Sequence, residues 1–205
     1  MLDGLRTQVS AGMSQKRLRH TLEVEKMVSR LAALFCPEKN MMLRAAALLH
    51  DTTKEYENSA HIEILEKNGQ KLTDTDLLAP KTFHARTAAL LIPEKYTEFA
   101  DSELISCVRW HTTGREDMTL PEKLLYLADY IDESRVFPDC VRLRNYFWGA
   151  KPENMDAKQL EIHLLKTMIM SYDMTISGLI GEGTPVSPDT MLSRNAQIIQ
   201  LSKFN

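Results

Sequence analysis

The sequence predicts an all-α fold: a helical bundle with a metal centre in its core. Three observations carry that reading. Apolar residues recur at spacings of three and four along nearly the whole chain, the period of an amphipathic helix. Glycine and proline number only eight each, too few for a sandwich of many short strands with tight turns. Histidines and aspartates stand on or at the ends of the apolar stripes of five separate segments, where a core would ordinarily admit none.

The elements follow in order. Ser14 is placed to cap a helix that runs to about Phe35, with the inward stripe Val24, Met27, Val28, Leu31, Leu34 and Phe35. Pro37 ends it. A helix rich in Met, Leu and Ala follows from Asn40 to about Asp51. Shorter helices are expected from His61 to Asn68, with Gly69 as a cap, and from Lys81 to Ile92, with Pro93 just beyond. Another spans Asp101 to His111. Thr119 and Glu122 form a capping box around Pro121 and start a helix that passes Asp129 to Ile131. Pro138 to Trp148 gives one more, closed by Gly149. A long amphipathic stretch covers Asp156 to Ile180 and stops at Gly181-Glu182-Gly183. Residues 1–184 are read as one domain. The C-terminal tail, 185–205, is read as a short helix, Met191 to Leu201, packed on it. The connections around Lys71–Pro80 and Thr112–Met118 are read as loops.

Composition excludes several classes. A hydrophobic share of 43% and a charged share of 26% are those of an ordinary globular protein. A net charge of −3 argues against a surface that coats nucleic acid. No apolar run approaches the roughly 20 residues that span a bilayer, so no membrane association is expected. The amino terminus lacks the pattern of a secretory signal, and a cytoplasmic location is the default expectation. Cys36, Cys107 and Cys140 are odd in number and far apart, which speaks against a disulfide framework or a thiolate zinc site. The Met- and Leu-rich helix 156–180 suits either a partner subunit, giving a homodimer, or closure of the core; Met168 to Met174 read as gap-filling core.

His20 lies four residues before Val24, on the inward stripe; His50-Asp51 closes an Ala/Leu-rich helix. His84 precedes Ala85, Ala88 and Ala89, His111 ends a helix, and Asp129 sits in one of the least polar windows of the chain. A lone buried carboxylate is costly unless paired or metal-bound, and a lone buried imidazole must satisfy two nitrogens. One shared cause explains all of them more cheaply than separate ones. Facing helices of a bundle that each supply an inward metal ligand are such a cause. Imidazoles and carboxylates without thiolate suit iron, manganese or zinc better than magnesium. His61 and His163 lie on polar-flanked helical surfaces and are read as surface or structural residues; Trp110 and Trp148 are read as core.

The order H…HD…H…H…D, carried by His20, His50-Asp51, His84, His111 and Asp129, is similar to that of HD-domain phosphohydrolases with two metals. More narrowly, His50-Asp51-Thr52-Thr53-Lys54, His111-Thr112-Thr113-Gly114-Arg115 and Tyr126 to Arg135 resemble the YqeK-type bacterial hydrolases, over roughly residues 15–180. That family cleaves diadenosine tetraphosphate symmetrically to two ADP. The resemblance implies that His20, His50, Asp51 and Asp129 hold one metal, and that His84 and His111 complete a second, with Asp51 bridging. It implies two metal ions, iron in that family, with manganese or another transition metal as alternatives. Asp51 and Lys54 would be catalytic, and Lys54, Thr113, Gly114 and Arg135 would meet substrate phosphates. Thr52-Thr53 departs from the Ile-Ala common in that family. The alternatives are another HD-type nucleotidase or phosphodiesterase, or a non-catalytic module that senses a nucleotide.

Overall fold

A computed structural model describes residues 1–204. Among them are eleven α-helices and no strand. In chain order they are α1 (Leu2–Ser10), α2 (Gln15–Phe35), α3 (Asn40–Leu49), α4 (Asn58–Lys67), α5 (Asp74–Leu78) and α6 (Phe83–Lys95). Then come α7 (Ser102–Trp110), α8 (Leu120–Ile131), α9 (Pro138–Gly149), α10 (Ala157–Gly181) and α11 (Pro188–Ser202).

Side-chain caps set many of the boundaries. Ser14 accepts from the Arg17 amide ahead of α2, and Asp101 accepts from the amides of Glu103 and Leu104 ahead of α7. Reciprocal capping boxes start α8, through Thr119 and Glu122, and α10, through Asp156 and Gln159. Helix α2 packs against α3 and α8, and α7 packs against α3, α6 and α8. The core between them contains Val24, Val28, Leu31, Leu48, Leu49, Val108, Leu124 and Leu127, all with no exposed surface. Each such side chain contributes about 1.5–3 kcal/mol through burial. Helix α10 lies on α9 and α11; Met168 is fully buried, and Met170 and Met174 pack partly buried against the core.

The structure adds to or differs from the sequence reading in five places. Helix α1 was not expected; it buries Leu2, Leu5 and Val9 against α3, and Arg6 reaches the buried Glu25. The segment read as a loop near Lys71–Pro80 holds α5, started by a capping box of Thr73 and Asp76. Pro93 lies inside α6, which runs on to Lys95: proline forfeits one amide hydrogen bond, and in the last turn the helix tolerates that. His61 and His163, read as surface or structural residues, prove to be structural, and both are buried. The first pairs through Nδ1 with the Thr87 hydroxyl at 2.9 Å, the second through Nε2 with the Phe147 carbonyl at 3.0 Å. The tail forms α11, longer than expected; its last residue, Asn205, lies outside the described residues. No helix among the described residues is long and apolar enough to cross a membrane.

Candidate metal centre

Five helices converge on one cluster. Helix α2 carries His20 on its buried stripe, and α8 carries Asp129 near its end. His50 and His111 each follow directly on the last residue of a helix, α3 and α7. That position explains their orientation. The last carbonyls of a helix lack an intrahelical partner, and a ring N–H there finds one three residues back. His50 Nδ1 donates to the Ala47 carbonyl at 2.6 Å, and His111 Nδ1 to the Val108 carbonyl at 2.7 Å. His84, at the start of α6, does the same with the Lys81 carbonyl at 2.9 Å. With Nδ1 bonded to a carbonyl, Nε2 is the nitrogen aimed at the cluster: a free lone pair in His84 and His111, and one that a metal would gain at His50 by displacing its second proton.

The carboxylate of Asp51 stands between two groups of these nitrogens. Its Oδ2 is 3.6 Å from His20 Nε2 and 3.4 Å from His50 Nε2. Its Oδ1 is 3.2 Å from His84 Nε2 and 3.8 Å from His111 Nε2. Asp129 Oδ1 joins the first group, 2.9 Å from His20 Nε2 and 3.7 Å from His50 Nε2. Donors held at about 2.0–2.2 Å from one metal ion lie roughly 3–4 Å from one another. Among the described residues two overlapping triads, His20–His50–Asp129 and His50–Asp51–His111, each offer ligand atoms within 4.8 Å of one another.

The polar groups themselves call for a cation. Nε2 of His20 and of His50 are buried and make no well-directed hydrogen bond among the described residues. His84 Nε2 and His111 Nε2 face each other at 3.0 Å, and with both protons on Nδ1 two lone pairs point together. A shared positive charge relieves that repulsion, so the donor set fits metal ions.

The electrostatics agree. Burial pushes His50 down, but Asp51 and Asp129 outweigh it and raise its pKa to about 10. Burial likewise opposes the charge of His20, yet Asp129 and Asp132 leave it raised. Asp51 and Asp129 are held well below the usual carboxylate range despite burial, Asp51 by His50 and His111, Asp129 by Arg135 and His20. Burial drives His84 and His111 down, so both stay neutral.

Three cations rim the cluster. Arg17 pairs with Asp51, and Arg135 pairs with Asp129. Lys54 Nζ lies 3.1 Å from both ring nitrogens of His84, and burial lowers its pKa. All six expected ligand residues and two of the four expected phosphate-binding residues, Lys54 and Arg135, are therefore together. Thr113 and Gly114 are committed elsewhere. The buried Thr113 hydroxyl donates to the Gly114 carbonyl at 3.0 Å, and Gly114 is packed against Tyr172 and Ser193. The hydroxyl that reaches the cluster is that of Thr112, 3.2 Å from His84 Nε2.

The sequence reading missed Arg17, Asp132 and Ser134. Asp132 is fully buried with Oδ2 3.3 Å from His20 Nδ1, so it orients that ring, and the Ser134 hydroxyl is 3.3 Å from the same nitrogen. A signal existed: Arg17 stands three residues before His20, and Asp132 three after Asp129, one helical turn from a ligand each time. Trp148 is half-buried with the Arg30 guanidinium 4.0 Å over its ring, and Trp110 is half-buried under Arg109 in the same way. One face of each ring is thus covered by a guanidinium. The three cysteines are buried and unpaired, as expected.

Comparisons with known proteins bear on this site. The model of the HD domain matches residues 17–134, which contain all six expected ligand residues. The symmetrical bis(5'-nucleosyl)-tetraphosphatase of Bacillus subtilis (strain 168) is 31% identical over 189 residues, 91% of this chain and 92% of that protein. The enzyme of the same name from Halalkalibacterium halodurans is 27% identical over 194 residues, 94% of each chain. Among solved structures, a predicted HD superfamily hydrolase involved in NAD metabolism from Clostridium acetobutylicum superposes with a TM-score of 0.83 at 30% identity, over 98% of both chains. A match through all five ligand-bearing segments, and likeness along almost the whole length, place this chain in the HD-domain family.

Proposed function

We propose that this protein is a metal-dependent phosphoanhydride hydrolase that cleaves diadenosine tetraphosphate and related dinucleoside polyphosphates symmetrically, to two nucleoside diphosphates. The observation that carries the reading is Asp51, whose two oxygens divide between the His20–His50–Asp129 group and the His84–His111 group. That division suits a carboxylate shared by two metal ions. The activity named for the Bacillus and Halalkalibacterium relatives supports the substrate class.

His20, His50, Asp51 and Asp129 would hold one ion, and His84 and His111 the other. Iron is proposed, with manganese as a substitute, because the donors are imidazoles and carboxylates. Metal ions there supply an activated water and polarise the phosphoryl oxygens. The chain's own residues do the rest. Asp132 and the Ala47, Lys81 and Val108 carbonyls fix the ring orientations. Arg17, Lys54 and Arg135 supply positive charge where a polyphosphate must lie. Lys54, beside His84 at the edge of the cluster, would be placed to meet a substrate phosphate. The catalytic unit is proposed as residues 1–184 with the tail 185–205 docked on it, working in the cytoplasm.

The test is chromatography of the products from diadenosine tetraphosphate, with iron or manganese supplied and a chelator control. Two ADP, lost with chelator, is the expected result. ATP plus AMP would overturn the symmetrical cleavage. No cleavage by metal-loaded protein would overturn the substrate class in favour of another HD-type nucleotidase or a nucleotide sensor.

A further inference from the structure

Helix α11 docks in an unusual way. Its buried face is polar, Thr190, Ser193 and Gln197, while Met191, Leu192, Ile198 and Ile199 face outward. Its fully buried positions are thus polar, and specific polar contacts help to seat it. The fully buried Ser193 hydroxyl donates to the Tyr172 oxygen at 2.7 Å, and the Tyr172 hydroxyl donates to the Met118 sulfur at 3.3 Å. Met118 closes the loop that begins at His111.

Between these hydroxyls and the metal cluster lies Gly114. Its φ is +66°, in the left-handed region, and its amide donates to the Trp110 carbonyl at 2.9 Å, closing the turn after α7. A Cβ there would collide with the Tyr172 hydroxyl and come within 2.6 Å of Ser193 Oγ. The turn is thus clamped from behind by two residues that lie outside the stretch matched by the HD domain, residues 17–134. In front it carries His111, with Nε2 3.0 Å from His84 Nε2, and Thr112, with its hydroxyl 3.2 Å from the same atom.

We infer that Tyr172 and Ser193 are positioning residues for the half-site formed by His84 and His111: they hold the Thr112–Gly114 turn, and through it fix His111 against His84. This rests on the metal reading given above. Loss of either hydroxyl loosens the turn and weakens the ion at His84 and His111. The ion at His20, His50 and Asp129, held by α2, α3 and α8, is left in place.

The experiment is manganese titration of the full chain by calorimetry, with elemental analysis after dialysis, for wild type, Ser193→Ala, Tyr172→Phe and Thr190→Ala. Thr190→Ala removes another buried α11 hydroxyl, away from Gly114, and controls for general loosening of the helix. Wild type and Thr190→Ala are expected to bind two manganese ions. Ser193→Ala and Tyr172→Phe are expected to bind the second ion roughly tenfold or more weakly, with the first unchanged. Two ions bound with wild-type affinity by both variants would overturn the inference. So would parallel weakening of both ions, or the same weakening in Thr190→Ala, since either marks a general structural effect. A wild-type protein that takes up no manganese would remove the metal reading itself, and the inference with it.

Discussion

Asp51 is the residue on which both halves of the cluster depend, and its removal separates chemistry from folding. Asp51→Ala is expected to lower kcat/KM for dinucleoside polyphosphate about a thousandfold, equivalent to ~4 kcal/mol of transition-state stabilisation. The circular dichroism spectrum should remain helical, because the ends of α3 and α6 are anchored by Leu48, Leu49 and Ala88. Activity within tenfold of wild type would sink the bridging role. His50 makes a second prediction, about pH. In protein stripped of metal its folded pKa, about 10, lies above its ordinary value of 6.5. The stability it contributes is therefore complete below pH 6.5 and is lost as pH rises toward 10. Metal competes with that same proton, so affinity for manganese should rise across the same interval. Melting curves and titrations at stepped pH check both slopes; a metal affinity flat with pH would contradict the placement of His50 as a ligand. These residues were legible in the sequence because imidazoles and carboxylates on apolar stripes need a common reason. Arg17 and Asp132 were not, since a charged residue one turn from a ligand looks the same as a solvated one. Thr113 and Gly114 were misplaced because adjacency to His111 does not fix which side of a turn faces the cluster.

Four of the helices that start with side-chain caps, α2, α7, α8 and α10, were read closely, whereas α5, which also has one, was not. Ser14 and Thr119 cap the helices expected of them, and Asp101 and Asp156, expected as helix starts, prove to be N-caps. The cap of α8 matters most, because that helix delivers Asp129. Thr119→Ala should cost about 1 kcal/mol, a fall of roughly 2–4 °C in Tm for a chain of this size. Differential scanning calorimetry reads it directly, and an unchanged Tm would show that Glu122, also bound to Arg115 and Ser106, holds the turn alone. Helices α1 and α5 escaped notice for different reasons. Nine residues with a glycine in the first turn make a weak helix that exists through its contact with α3, and five residues give too short a stretch for periodicity to register. The fully buried positions of α11 are polar, so the apolar spacing located the helix but not the side that packs.

At the scale of the molecule, helices distant in sequence are bound to one another by the cluster. His20 and Asp129 are more than a hundred residues apart in the chain and 2.9 Å apart in space. That closure was foreseen only as a shared cause for scattered ligands; the order in which helices pack around it comes from long-range contacts that no local pattern encodes. One consequence concerns Cys107, fully buried on α7 a single turn before His111. Burial pushes its thiol far above the ordinary range, so it reacts only when the helix end opens to solvent. A thiol-specific dye should therefore label Cys107 slowly, and more slowly once manganese pins His111. The sulfur thus serves as a built-in clock for how often the centre of the protein breathes, readable by mass spectrometry of the tryptic peptide without any substrate present.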